Sequence, residues 1–185
     1  MRAAVIIFPG SNCDRDLISA LSLAGHETTQ IWHKETELPK NVDLVAIPGG
    51  FSFGDYLRCG AIAAKSPIFN EVIRHIDRGG YALGICNGFQ ILTEAGILPG
   101  ILQQNTGTKF ISKVIDLHVK NTSSTFTHSY SSNTTISIPI AHHEGNYFAS
   151  KDDLKKLKDR NCIACLLYTS PSPRDYAASR MPSSA

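Results

Sequence analysis

Cys86 lies in Gly84-Ile85-Cys86-Asn87-Gly88, a G-x-C-x-G peptide set between an apolar run and a helical pattern. Residues 81–85 read as a short buried strand and residues 87–95 as a helix closed by Gly96. A strand that breaks sharply into a helix, with one nucleophile at the corner, is a nucleophile elbow. The turn is crowded, so a side chain at either flanking glycine would collide with neighbouring backbone. The thiol then stands at a helix N-terminus, where unpaired N–H groups and the positive end of the dipole favour a thiolate. The chemistry on offer is nucleophilic. The plain alternative is a buried cysteine that happens to lie between two glycines.

No other cluster competes with it. Cys162-Ile163-Ala164-Cys165 is a C-x-x-C, yet zinc would need further ligands and the sequence has no second pair. A redox pair belongs at a helix start, whereas this one lies in an apolar, strand-like run, so coincidence is the better reading. Asn121-Thr122-Ser123 and Asn133-Thr134-Thr135 match the glycosylation sequon but carry no weight without a secretion signal. No metal site is expected.

The 185 residues suit one domain with a sizeable core, at 42% hydrophobic and 18% charged. A formal net charge of +2, with no basic cluster among aromatics, argues against nucleic acid as a partner. No apolar run is long enough to span a bilayer, and the N-terminus reads as a strand rather than a signal peptide, so no membrane association is expected. Five cysteines, an odd count without a disulfide framework, suit a reducing cytosol and a cytoplasmic location.

The elements that must position Cys86 follow from hydrophobic spacing. Residues 3–8 form a continuous apolar run, as in a parallel strand buried on both faces, broken by Pro9-Gly10-Ser11-Asn12. Leu17, Ile18, Leu21 and Ala24 keep helical spacing up to Gly25. Strands follow at 28–32 and 43–47, the latter stopped by Pro48-Gly49-Gly50, and a helix at 68–78. This alternation predicts an α/β fold, an open, mostly parallel sheet flanked by helices. Beyond Gly100, residues 110–119 alternate apolar and polar, and 136–140 reads as their returning strand across a Ser/Thr-rich loop. That is a small antiparallel insertion. Residues 152–160 predict a short charged helix with a solvated face.

Three peptides carry a resemblance. Gly84-Ile85-Cys86-Asn87-Gly88-Phe89-Gln90-Ile91-Leu92-Thr93-Glu94 resembles the nucleophile segment of class I, triad-type glutamine amidotransferases, whose sheet is flavodoxin-like. Pro48-Gly49-Gly50-Phe51-Ser52-Phe53-Gly54-Asp55-Tyr56-Leu57-Arg58-Cys59-Gly60 and Phe8-Pro9-Gly10-Ser11-Asn12-Cys13-Asp14 narrow it to the glutaminase subunits of phosphoribosylformylglycinamidine synthase. The resemblance runs from Met1 to about Cys162. It implies ammonia release from glutamine for a ligase of purine biosynthesis, through a glutamyl thioester on Cys86. The Asn87 N–H, next along the elbow, is the first oxyanion donor. The resemblance adds the Gly50 N–H, or that of Phe51, as the second, with Gly49 and Phe51 lining the substrate site. Gln90, one turn beyond Cys86, would hold the substrate. The backbone around His143 and Glu144 would touch its amino-acid head group. Partners implied are a synthetase subunit, which uses ATP and magnesium, and a small bridging subunit. This chain itself resembles no nucleotide site and carries no cofactor.

The base is the difficulty. Family members carry a His-x-Glu pair in a Pro-His-Pro-Glu peptide near the C-terminus, and this sequence has none. His142-His143-Glu144 contains His-x-Glu, but Ala141-His142-His143-Glu144-Gly145-Asn146-Tyr147 matches an earlier family peptide that lines the site. His26, His33, His75, His118 and His128 read as structural. From Leu166 the chain is rich in Pro and Ser without a hydrophobic period, resembling adapter read-through. The expectation is therefore an amidotransferase domain over 1–165, truncated and inactive as written, with a non-native, disordered tail at 166–185. The rival readings are another Cys-elbow α/β hydrolase, of peptidase or deglycase type, and a non-catalytic binding subunit of the same fold.

Overall fold

The first apolar run becomes β1 (Arg2–Ile7), a strand whose central residues are shut off from water on both faces. The computed structural model describes residues 1–167, which belong to two units, Met1–Gln103 and a second that begins at Gln104. In the first unit β1 is followed by α1 (Asp14–Leu23), β2 (Glu27–Trp32), β3 (Leu44–Ile47), α2 (Phe69–Asp77), β4 (Tyr81–Gly84), α3 (Asn87–Glu94) and β5 (Ile101–Gln103). Four strands pair in parallel in the order β2-β1-β3-β4.

Alternation along the strands sorts the core into two layers. Ala4, Ile6, Val45 and Ile47 pack with Ile68, Phe69 and Val72 around α2 and with Ile91 and Leu92 of α3. Ala3, Val5, Leu44 and Ala46 face the other way, onto Leu17 and Leu21 of α1. Each Val, Leu or Ile so buried contributes about 1.5–3 kcal/mol, and helices on both faces are what a strand apolar at every position requires.

Residues 81–85 depart from expectation. They were read as a buried strand, but Tyr81 is exposed, and Ala82, Leu83 and Gly84 are half-buried. Among the described residues β4 pairs with β3 only, and burial depends on neighbours that a short apolar run does not specify.

The elbow itself is as read. Cys86 is the N-cap of α3 and holds φ 54° and ψ −112°. A Cβ on Gly84 would lie 2.7 Å from the Gly88 carbonyl, and one on Gly88 would strike the carbonyl oxygen of Ile47. The glycines thus let α3 sit directly on β3. Gly88→Ala is expected to cost about 3 kcal/mol through overpacking against backbone. Thermal melting should then fall by about 6–12 °C. An unchanged melting temperature would mean that α3 stands off the sheet.

The second unit contains β6 (Ile111–Val119), β7 (Thr135–His142), β8 (Asn146–Phe148), α4 (Lys151–Asp159) and β9 (Cys165–Leu167). β6 and β7 are antiparallel, with Leu117 opposite Ile136 and Ile115 opposite Ile138, and β9 adds to the other edge of β6. Along β7 half-buried and exposed residues alternate, whereas along β6, where the alternation was read, the pattern is irregular, with Val114 exposed and Val119 buried. α4 is capped by Ser150, whose Oγ accepts the Asp153 N–H at 3.1 Å, and it buries no residue. One boundary moves. Leu166 and Leu167 were placed in the tail, yet they belong to β9, because Leu166 pairs with His118 and Leu167 with Leu117. The rest of the expected tail, residues 168–185, lies outside the described residues. No helix among the described residues is long and apolar enough to cross a membrane.

Candidate active site

The three peptides singled out in the sequence meet within the first unit. A Cβ built on Gly49 would lie 3.2 Å from the Cβ of Cys86, so the loop after β3 comes directly against the elbow cysteine. The loop after β1 braces it from the other side. Cys13 donates its N–H to the Gly49 carbonyl at 3.3 Å, Phe51 to Gly10 at 2.9 Å and Phe53 to Pro9 at 2.7 Å. Gly50 holds φ +139°, and a Cβ there would lie 2.6 Å from the Gly10 carbonyl oxygen. Only glycine fits both that conformation and that space.

These bonds separate the two loop N–H groups singled out in the sequence. The Phe51 N–H is committed to Gly10. The Gly50 N–H, by contrast, donates to no backbone carbonyl among the described residues. The Asn87 N–H opens α3 and therefore has no intrahelical acceptor. Of the loop candidates, Gly50 and not Phe51 keeps an N–H without a backbone acceptor among the described residues.

The side chain of Asn87 does something the sequence did not signal. It is 1% exposed and bridges helix and loop. Its Oδ1 accepts the Ser52 N–H at 3.1 Å, while Nδ2 donates to Gln90 Oε1 at 2.9 Å and to Asp55 Oδ1 at 3.4 Å. Gln90 is buried beside it, its amide oxygen taken by Asn87. Farther along, Arg58 grips Glu94 with two bonds, Nε–Oε1 at 2.9 Å and Nη2–Oε2 at 2.7 Å. That contact holds the Arg58 guanidinium above its ordinary pKa. Phe53, Asp55 and Leu57 all sit at positive φ, strain of about 1–3 kcal/mol each that these bonds to α3 offset. Phe51 is exposed at the start of the loop.

The histidines divide as expected in the first unit. His33 is buried, stacked on Phe8 and 3.3 Å from Ser66 Oγ, and burial pushes its pKa down. His75 is buried and donates Nε2 to the Tyr81 carbonyl at 3.1 Å. In the second unit, Glu144 pairs with His143 (Oε1 to Nδ1, 2.9 Å) and not with His142, and this bond holds the His143 pKa above its ordinary value. His142 Nδ1 donates to Asn105 Oδ1 at 3.0 Å. The same oxygen accepts the Gly145 N–H at 3.0 Å, and Asn105 Nδ2 donates to the His142 carbonyl at 3.0 Å. Asn105 thereby clamps residues 142–145, a role with no signal in the sequence. The His142-x-Glu144 pair weighed as a base is not formed. Among the described residues no three His, Cys, Asp or Glu side chains are grouped to hold a metal ion.

Comparison with known proteins agrees with this fold. A family model described as a CobB/CobQ-like glutamine amidotransferase domain matches residues 1–182. Over 172 residues the chain is 55% identical to PurQ, a subunit of phosphoribosylformylglycinamidine synthase from Ruegeria sp. (strain TM1040), covering 93% of this chain and 78% of that protein. It matches a structure of PurLQS from Thermotoga maritima with a TM-score of 0.77 and 45% identity, over 82% of this chain and 70% of that one. Another glutamine amidotransferase from Thermotoga maritima shares the fold alone, at 15% identity and a TM-score of 0.58 over 82% of this chain and 64% of that one. An elbow cysteine against a Gly-Gly loop, a parallel sheet under helices and these matches lead to one conclusion: the chain belongs to the glutamine amidotransferase family of the PurQ subunits.

Proposed function

We infer that this chain is the glutaminase subunit of phosphoribosylformylglycinamidine synthase. The observation that carries the reading is the approach of Gly49 to Cys86 at the elbow. Cys86 attacks the side-chain carboxamide carbon of glutamine. The oxyanion takes the N–H groups of Gly50 and Asn87. Collapse of the adduct breaks the C–N bond, releases ammonia and leaves a glutamyl thioester, which water hydrolyses to glutamate. Ammonia passes to a synthetase subunit, where it displaces an ATP-activated oxygen of formylglycinamide ribonucleotide. Gly49, Phe51 and Gln90 line the glutamine site. A small bridging subunit and a cytoplasmic location belong to the same reading. The described residues 1–167 act as one amidotransferase domain, a view supported by a family model that matches residues 1–182.

The proton step falls to a His-x-Glu pair of the family type rather than to His142, whose Nδ1 is engaged by Asn105. The test compares this chain with a version in which residues after 165 are replaced by the corresponding segment of a PurQ relative. Ammonia is measured with glutamine, ATP, formylglycinamide ribonucleotide and a synthetase subunit present. The chain as written should turn over little and the replaced version freely. Equal turnover would make His142 the base. Failure of the replaced version to support glutamine-dependent product would sink the functional reading.

A further inference from the structure

Cys13 and Cys86 flank the same glycine. A Cβ built on Gly49 would lie 3.2 Å from the Cys86 Cβ and 3.7 Å from both the Cβ and the Sγ of Cys13. Two cysteines disposed about one point in this way have Cβ atoms within about 7 Å of each other, and a disulfide needs about 3.5–4.5 Å. Because residue 49 is glycine, no side chain occupies that point. Both are exposed, whereas Cys59 is buried. Each is the N-cap of a helix, Cys13 of α1 and Cys86 of α3, and neither side chain makes a capping bond that a rotation would break. The Cys13 thiol has one weak bond, donated to Asn12 Oδ1 at 3.7 Å. Burial, with the nearby charges of Asp16, Cys86 and Asp14, pushes the Cys13 thiol up from its ordinary pKa, which slows its own direct reaction with peroxide.

We propose that Cys13 is a resolving cysteine for Cys86, closing a reversible disulfide when a peroxide oxidises the nucleophile. The Cys86 thiolate attacks one oxygen of hydrogen peroxide. An S–O bond forms, the O–O bond breaks, and the departing hydroxide takes a proton to become water. Cys13 then gives its proton to solvent and attacks the sulfenic sulfur. The S–S bond forms, the S–O bond breaks, and a second water leaves. Two thiols lose two electrons and one peroxide gains two. Without Cys13 the sulfenic acid goes on to sulfinic acid, which thiols do not reverse. The device blocks the nucleophile while oxidant is present and returns it afterwards. It rests on Cys86 being the reactive thiol and not on glutamine being the substrate.

The test uses the full chain, reduced, freed of reductant and exposed at low protein concentration to a small excess of hydrogen peroxide. Free thiols are capped with N-ethylmaleimide, and the protein is digested without reduction for mass spectrometry. The expected product joins the Cys13 and Cys86 peptides within one chain and is lost on treatment with dithiothreitol. In Cys13→Ser, and in Cys13→Ala as a second variant, Cys86 sulfinic acid should rise at least tenfold. Circular dichroism matched to the parent shows that the fold is kept. A disulfide from Cys86 to Cys59, Cys162 or Cys165 would overturn the proposal, as would equal sulfinic acid with and without Cys13. Should Cys86 cross-link to Cys13 yet resist a glutamine-like alkylating agent, the proposal stands and the glutaminase reading falls. The reverse result leaves the glutaminase reading and removes the switch.

Discussion

Cys86→Ala is expected to abolish glutamine hydrolysis, lowering kcat by on the order of 10⁵–10⁶, because the nucleophile acts as a unit with its base and cannot be partly replaced. Rates belong in the version carrying a relative's terminal segment, with the synthetase subunit present. A second readout needs no turnover. A glutamine-like alkylating agent should leave one adduct on the chain as it stands, at Cys86, and none on Cys86→Ala. Adducts at Cys13 or Cys59 with Cys86 unmodified would remove the elbow from the mechanism. Cys13 is the demanding control here, since its Sγ lies 3.7 Å from the point where a Gly49 Cβ would stand.

Gly50→Val should reduce kcat by about 10²–10³, the usual loss of one oxyanion donor, with KM for glutamine changing far less. The steric cause is specific. A Cβ at Gly50 meets the Gly10 carbonyl oxygen at 2.6 Å and the Asn12 nitrogen at 2.8 Å, both backbone, so the loop must shift rather than a side chain. The melting temperature should therefore fall as well, while the far-ultraviolet circular dichroism spectrum keeps its shape. Gly25→Ala separates strain from chemistry. Gly25 also has positive φ, +79°, but a Cβ there meets nothing within 4 Å. It should lower stability slightly and leave kcat alone. Equal rates for parent and Gly50→Val would place the oxyanion donor elsewhere.

Much of the sheet and the elbow was legible because each depends on local pattern. The run from Ala3 to Ile6 is apolar at every position, and a strand with helices on both faces is the structure that uses such a run. Gly84 and Gly88 announced a close approach: Gly88 meets the Ile47 carbonyl, and Gly84 meets the Gly88 carbonyl and the Leu92 side chain. What could not be read depends on partners far away in the chain. Asn87 reaches Ser52 and Asp55, Arg58 reaches Glu94, and Asn105 reaches His142 and Gly145, each across more than thirty positions without any period to mark them. β5 and β8 are three residues long, too short for alternation to register. His142 and Glu144 had the spacing of a catalytic pair, and only geometry revealed that the carboxylate belongs to His143.

The loop after β3 is tied to α3 at both ends, at Ser52 through Asn87 and at Arg58 through Glu94, with Gly60 packed close against the backbone of Ile91. Such a segment does not work as a flap. Its amide protons should exchange with solvent deuterium on two timescales. Ser52, whose N–H is held by a fully buried side chain, should exchange only when the whole layer around α3 opens, while the exposed tip at Tyr56 and Leu57 exchanges within seconds. The shape of the loop is thus set by α3 and does not wait for a ligand to order it.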